Sequence, residues 1–595
     1  MSGSEGRPPD SATPGEAAVH VEQAKTSAIR RHSAISAASN YGGQLINLGV
    51  WFLLTPFMIL RLGTTQYGLW VLVASFVAYG NLASLGISSA IVKYVAEYRA
   101  RGESDTASEL IATALAIYVV LGLAMVVVAL IISPIVPHVL KVPVDQRGTT
   151  SLLVIVTAAG VAVQLPASAA ASVLSGIGRF DLMNLIGSLA MLTLGASFVV
   201  TLELGGNVVA LSAITIPIAI TFLVPTVWII RRAAPDLRFG FRGAKRSEVR
   251  RVALFSSALF GIQVAGVVKL QSDEIVIGSA LPVRFVSPYS LARRISGLPG
   301  SLAYQLVQVI LPLASRLHAE GDMGRLRAVM LSGLRLTTAA FSVIGCPLII
   351  FAAPFLRAWV GQKFASAAEI TVLLTVAALM QVMMLPVSAA LQGMARHRPL
   401  VIFALAGASL NLALSIVLVG PVGVRGVALG TLIATALEVT VVMVYASRVV
   451  TVSAREILGR ALLPALGPAI PMMGALALIR YTIGPSTIPQ IALAGLTGAV
   501  VYFAFYLAMP AAAEERAVAG FLLARVWRLG RRRGRAGASG IDGNVSGLGG
   551  DAPQPRADRR IDREVEATLV RDVRVGVEGD VGDREAVGDE EGPIP

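Results

Sequence analysis

The sequence predicts an all-α integral membrane protein of about fourteen transmembrane helices. They form two parallel-repeat six-helix lobes plus two C-terminal helices. Three observations predict this. The 595-residue chain is 14% charged and 55% hydrophobic, with a mean hydropathy of +0.71, whereas a soluble domain is about 25% charged. Apolar runs alternate with short polar breaks between residues 34 and 510, and runs of about 20 residues are long enough to cross hydrocarbon as helices. Short motifs recur in the same order 217 to 222 residues apart. Isolated open strands are excluded at membrane depth, because their backbone groups would stay unpaired. The single cysteine, Cys346, lies in an apolar run and excludes a disulfide scaffold.

Residues 1–33 are polar and have no apolar core directly after the start, so no cleaved signal peptide is expected. They are expected to form a cytoplasmic tail, with a short interfacial helix near Val21–Arg31. Residues 34–232 hold spans one to six and 252–446 hold spans seven to twelve, joined by a basic linker at 233–251. Residues 447–510 hold the last two spans. The seventh span (252–278) carries Lys269, Asp273 and Glu274, and the thirteenth carries Pro464, Pro468 and Pro471. Such imperfect spans make twelve or thirteen crossings the competing count.

Charge placement tests the count. With the N-terminus inside, inner loops should collect Lys and Arg. These segments hold Arg30 and Arg31; Lys93, Arg99 and Arg101; Arg238, Arg242, Lys245, Arg250 and Arg251; and Arg316, Arg325 and Arg327. The opposite loops hold few, among them Arg61, Lys141 and Arg284. Adding or removing one middle helix would invert the bias, so an even number with both termini cytoplasmic is the economical solution. It also explains the pI near 10.2: the basic face meets anionic inner-leaflet lipid, and a nucleic-acid partner is not expected. Residues 511–595 begin with a basic flank. They end in a stretch, 551–595, with 13 acidic and 7 basic residues, a composition expected to stay disordered.

The repeat pairs Leu174–Arg179 with Leu391–Arg396, and Val209-Ala210-Leu211 with Val427-Ala428-Leu429. It also pairs Tyr67 with Tyr289, and the loop Arg99–Asp105 with His318–Asp322. Six spans is an even number, so the second copy enters from the same side as the first. Parallel lobes around a shared cleft suit alternating access better than a static pore. Gly176 and Gly178 are expected to let the fourth helix stop and reverse.

Charge inside a span needs a partner or a wet cavity. Lys269 and Asp273 lie one turn apart, Glu274 is adjacent, and Arg293 and Arg294 open the next span at similar depth. Two readings stand together. The five form an ion-paired cluster between the seventh and eighth spans, or excess cations face the cleft and meet an anionic headgroup. Asn40, Gln44 and Asn47 recur at helical spacing in the first span, either bonding a neighbouring helix or lining the cleft. Glu438 is the most isolated acid, and is a candidate for coupling or for pairing. No phosphate-binding Gly-rich loop or His-Glu-x-x-His is present, and the five histidines form no metal set, so neither enzyme activity, cofactor nor metal is expected.

The stretches Leu62–Trp70, Leu85-Gly86-Ile87, Lys93–Tyr98, Leu174–Arg179 and Pro312–Asp322 resemble the Wzx-like polysaccharide export flippases. These belong to the MATE-like multidrug/oligosaccharidyl-lipid/polysaccharide superfamily. The resemblance covers roughly residues 34–510. It implies flipping of polyprenyl-pyrophosphate-linked glycan units across the bacterial plasma membrane, ion- or gradient-driven rather than by ATP. Partners would be the lipid-linked glycan, anionic membrane lipids and glycan polymerase or glycosyltransferase machinery. The alternatives are a multidrug or small-solute exporter of the same fold and a flippase for the peptidoglycan lipid precursor. The first span carries amides and no carboxylate, which lowers the drug-antiport reading.

Overall fold

A computed structural model describes the backbone of residues 14–80 and 85–510, and their side chains apart from 14–41, 80, 85, 246 and 253–262. The expected disordered tail at 511–595 lies outside the described residues, as do residues 1–13. Helix α1 (Pro14–Gly80) begins earlier than the expected interfacial helix and runs from Pro14 into the first span. Its apolar part, Gly42–Tyr79, has 38 residues. A straight rod of that length would measure about 57 Å, nearly twice the hydrocarbon core. The rod breaks at Gly63 (φ 75°, ψ 173°), a backbone region open to glycine alone. The two arms of α1 on either side of Gly63 are therefore the first two spans.

Helices α2 (Leu85–Ala100), α3 (Ser104–Ile132), the short α4 (Val136–Val139), α5 (Arg147–Gly176), α6 (Phe180–Glu203) and α7 (Val208–Ala233) complete the first half. The second half holds α8 (Arg246–Ala280), α9 (Val286–Val307), α10 (Ile310–Ala319), α11 (Met323–Val360), α12 (Ala368–Gly393), α13 (His397–Val422) and α14 (Val424–Val450). Next come α15 (Ala454–Glu456), a π-helical turn over Ile457–Leu462, α16 (Leu463–Leu466), α17 (Ala469–Thr482) and α18 (Ile488–Ala508). The wide turn precedes Pro464, whose ring cannot fit a tight helix interior. Among the described residues, twelve helices are long and apolar enough to cross a membrane. Counting the two arms of α1 separately and adding the 35-residue α8 gives fourteen crossings.

The sequence repeat returns in the packing. Helix α5 packs on α3 and α7, and α12 packs correspondingly on α11 and α14. Helix α1 packs on α6 as α8 packs on α13. The two matched turns share one backbone design. Arg179 N–H donates to Leu174 O and Arg396 N–H to Leu391 O, each at 2.9 Å. The left-handed position is Gly178 (φ 79°) in one copy and Ala395 (φ 57°) in the other. Gly176 has a different task from the one expected. It is helical, and a Cβ there would lie 3.0 Å from Val95 Cβ, so it lets α2 and α5 approach. Gly393 does the same against Ala314, at 2.8 Å.

Among the described residues, the bonds that join loops and helix ends fall into two groups, one at each end of the bundle. At one end Asp236 of the linker meets Arg99 (3.3 Å) and the Ser104 hydroxyl (2.7 Å), and Lys245 meets Glu109 (2.6 Å). At the other, Arg61 pairs with Glu203 (2.5 Å), and Lys141 N–H donates to Gly278 O (3.0 Å). The apolar core follows the same division. Leu54, Met58 and Tyr67 of the first half share one cluster with Ile277, Tyr289 and Trp359 of the second, toward the end away from the linker. Toward the linker end the second half has a cluster of its own, while Val252 at the start of α8 joins that of the first half. The halves therefore meet there through α2 and α8, and part between α1 and α6 on one side and the end of α9 on the other.

Candidate functional site

Where the halves part, a cavity of about 990 Å³ opens. Its polar wall comes from Gln44 and Asn47 of α1, Asn184 and Ser188 of α6, and Gln305 and Gln308 around the end of α9. Gln44, Asn47, Gln305 and Gln308 have no hydrogen-bonding partner among the described residues. No Asp, Glu, Lys or Arg lines this cavity among the described residues. The pairs Gln44/Asn47 and Gln305/Gln308 are each three residues apart, a spacing that puts both amides of a pair on one helix face.

Asn47 also borders a second cavity of about 310 Å³, shared with Trp51, Arg294, Ser301 and Trp359. The Arg294 guanidinium lies over the Trp51 ring, 4.4 Å from its centroid, and its Nη1 is buried with no hydrogen-bond partner. A guanidinium on an aromatic face keeps its charge while in-plane donors stay available. A third cavity, about 470 Å³, continues from the second across Phe52, Ile295 and Leu298. Its lining is wholly apolar and includes Pro347 and Phe355 of α11 and Ile491 and Leu496 of α18. Neutral-polar, cationic and apolar spaces therefore adjoin in that order.

The other sequence-predicted charges divide into separate groups. Lys269 bonds Glu438 of α14 at 2.7 Å, so Glu438 is paired rather than isolated. The Glu438 carboxylate occupies the space that a Cβ on Gly407 would fill. Arg293 holds Glu274 at 2.6 Å, linking α8 and α9. Asp273 accepts bonds from the hydroxyls of Tyr289, Ser415 (2.9 Å) and Thr431 (2.8 Å), and Asn411 donates to Thr431 at 2.9 Å. Thus Arg294, Gln44 and Asn47 reach the cavities, while Lys269, Asp273, Glu274, Arg293 and Glu438 lie in contacts within the second half. The side chain of Asn40 lies outside the described residues.

Sequence reasoning missed Gln305, Gln308 and Asn184 on the cavity wall, and Ser415, Thr431 and Asn411 around Asp273. The three-residue spacing of Gln305 and Gln308 carried a signal, the same one that singled out Gln44 and Asn47. Hydroxyls in spans carry none, because most bond their own helix, as Thr371 does to Ala367 O.

Comparison with known proteins places this arrangement. The fold is similar to a lipid II flippase MurJ in an inward closed conformation, with a TM-score of 0.64 at 14% identity, covering 80% of this chain and 98% of that one. It is also similar to an inward-facing multidrug resistance MATE family transporter of the MOP superfamily, with a TM-score of 0.56 at 15% identity, covering 68% and 98%. The molecule is therefore a multi-pass membrane protein with the MATE/MurJ-like fold. The family described as polysaccharide biosynthesis protein matches residues 61–369, just over half of the chain, and the chain belongs to it. A curated relative, the uncharacterized membrane protein EpsK of Bacillus subtilis (strain 168), is 22% identical over 497 residues, covering 79% of this chain and 93% of that protein.

Proposed function

We propose that this protein translocates a polyprenyl-phosphate- or pyrophosphate-linked glycan from the inner to the outer leaflet of a bacterial plasma membrane by alternating access. The observation that carries this is the order of the three cavities. Such a lipid has a hydroxyl-rich head, an anionic link and an apolar tail, in that sequence. The amide-lined cavity suits the head, Arg294 suits the link, and the apolar groove suits the tail. Crossing bare hydrocarbon would leave each sugar hydroxyl unpaired at a cost of several kcal/mol; the cavity supplies partners instead. With the linker end cytoplasmic, as the charge bias supports, the open cavity faces the side where the lipid starts.

Asp273 is a better candidate for coupling than Glu438. Glu438 already has the Lys269 charge as its partner, whereas Asp273 is held by hydroxyls alone. A proton or a hard cation entering among these oxygens would neutralise it.

Deleting the protein should accumulate a prenyl-linked glycan on the inner leaflet, read by its inaccessibility to an external glycosidase. Restoring Arg294→Ala should recover only about a tenth of the export or less, the expected loss of one charge-assisted bond of about 1.5–3 kcal/mol. An unchanged leaflet distribution on deletion would remove the proposal. The likeness to the lipid II flippase favours a second reading, carriage of the peptidoglycan precursor. In that case deletion would block wall synthesis rather than a dispensable polysaccharide. A drug exporter would call for a smaller, aromatic-walled site. The second cavity, with Trp51, Phe52 and Trp359, is of that kind, and the large amide-bearing space adjoining it is what favours the glycan lipid.

A further inference from the structure

We infer that the glycan carried here is uncharged, and that the amides of α1 and α9 select it. This rests on the glycan-lipid reading above and deepens it. Among the described residues, the wall of the large cavity bears amides and hydroxyls among apolar side chains, and no charged side chain. Amides donate and accept at once, as sugar hydroxyls do. Gln44 and Asn47 face the space from one half, Gln305 and Gln308 from the other, and the described protein leaves all four without partners. They are therefore free to bond a cargo held between the halves.

A carboxylate sugar would enter a partly dehydrated space and need a counter-charge there. Among the described residues, the cation that borders these spaces is Arg294, in the neighbouring cavity. It is committed to the phosphate link that every such cargo carries. Lys269 and Arg293 are already held by Glu438 and Glu274. Among the described residues, a uronic acid in the amide cavity would thus have neutral partners only, while a neutral hexose would lose nothing.

The test uses the full-length protein in proteoliposomes with two probes. Each is an undecaprenyl-pyrophosphoryl disaccharide; the terminal sugar is glucose in one and glucuronic acid in the other. Transfer is followed by the loss of probe to an external, membrane-impermeant glycosidase. The glucose probe should cross at least tenfold faster in the native protein. Asn47→Lys combined with Gln305→Lys should move that ratio at least tenfold toward glucuronic acid. Equal rates, or preference for the acid, in the native protein would overturn the inference while leaving glycan-lipid transport standing. A ratio untouched in a lysine variant that still transports would overturn the role given to the amides. Should that variant fail to fold, the native ratio decides alone. If neither probe crosses in the folded native protein, the glycan-lipid reading falls, and this inference with it.

Discussion

Lys269 and Glu438 meet at 2.7 Å with side chains only 11% and 5% exposed. Two charges so buried contribute little net stability as a pair, but losing one partner leaves the other uncompensated, at a cost of about 3–5 kcal/mol. Glu438→Gln should therefore lower the Tm and the folded yield sharply in detergent. Lys269→Met combined with Glu438→Leu should recover most of both. Additive losses in the double variant would show that the pair is not the cause. The charges themselves were conspicuous in the sequence, because a lysine or aspartate in an apolar run is costly and rare. Their partners were not. Lys269 and Asp273 stand one turn apart and invite a pairing, yet the lysine reaches α14 and the aspartate finds hydroxyls. That choice depends on how close α8 comes to α13 and α14, which no local spacing encodes.

At the scale of the element, the repeated turn offers a controlled comparison. Gly178 and Ala395 hold the same left-handed position in matched caps. An alanine there costs about 1–2 kcal/mol in backbone strain that glycine avoids. Ala395→Gly should stabilise the protein by about 1 kcal/mol, and Gly178→Ala should destabilise it by a similar amount, both read as Tm shifts. The turn and its position were legible from Leu174–Arg179 and Leu391–Arg396 alone. The separate task of Gly176 was not, since close helix approach and chain reversal both call for glycine. The linker adds a pH-dependent tether. The Ser104 hydroxyl, with Arg99 beside it, holds the Asp236 carboxyl below the usual carboxylate range. Its contribution is present above the unfolded pKa of about 4 and fades as pH falls through the lowered folded value. Proteolysis of the linker should thus quicken only in that acidic window, and Asp236→Asn should remove the dependence.

For the whole molecule, the spans and the two copies were readable because membrane thickness fixes helix length and the same short motifs recur in order. Which end stands open could not be read, because under the alternating access proposed above both conformations would use one set of spans. Among the described residues, hydrogen bonds cross the sealed end at several points. Trp359 donates its indole N–H to Phe52 O at 2.9 Å, Ser287 its hydroxyl to Thr64 O at 2.5 Å, and Lys141 its amide to Gly278 O at 3.0 Å. Lys141 Nζ also donates to Ala280 O at 2.5 Å. At about 1 kcal/mol net for each bond, these hydrogen bonds contribute a few kcal/mol beside the packing of the shared apolar cluster. Packing at this seal depends on Gly68, where a Cβ would lie 2.7 Å from Val283 O and 3.0 Å from Ser287 Oγ. Gly68→Val should wedge the seal apart and raise the outward-open population. In a Cys346→Ala background, a cysteine placed at Asn47 should then react with an impermeant maleimide added opposite the linker face, at least tenfold faster than with Gly68 intact. Transport should slow in the same variant, because the inward state that loads cargo is depopulated. Equal labelling with and without the wedge, in protein that folds normally, would mean that the halves do not part along this surface, and alternating access would have to be sought elsewhere in the bundle.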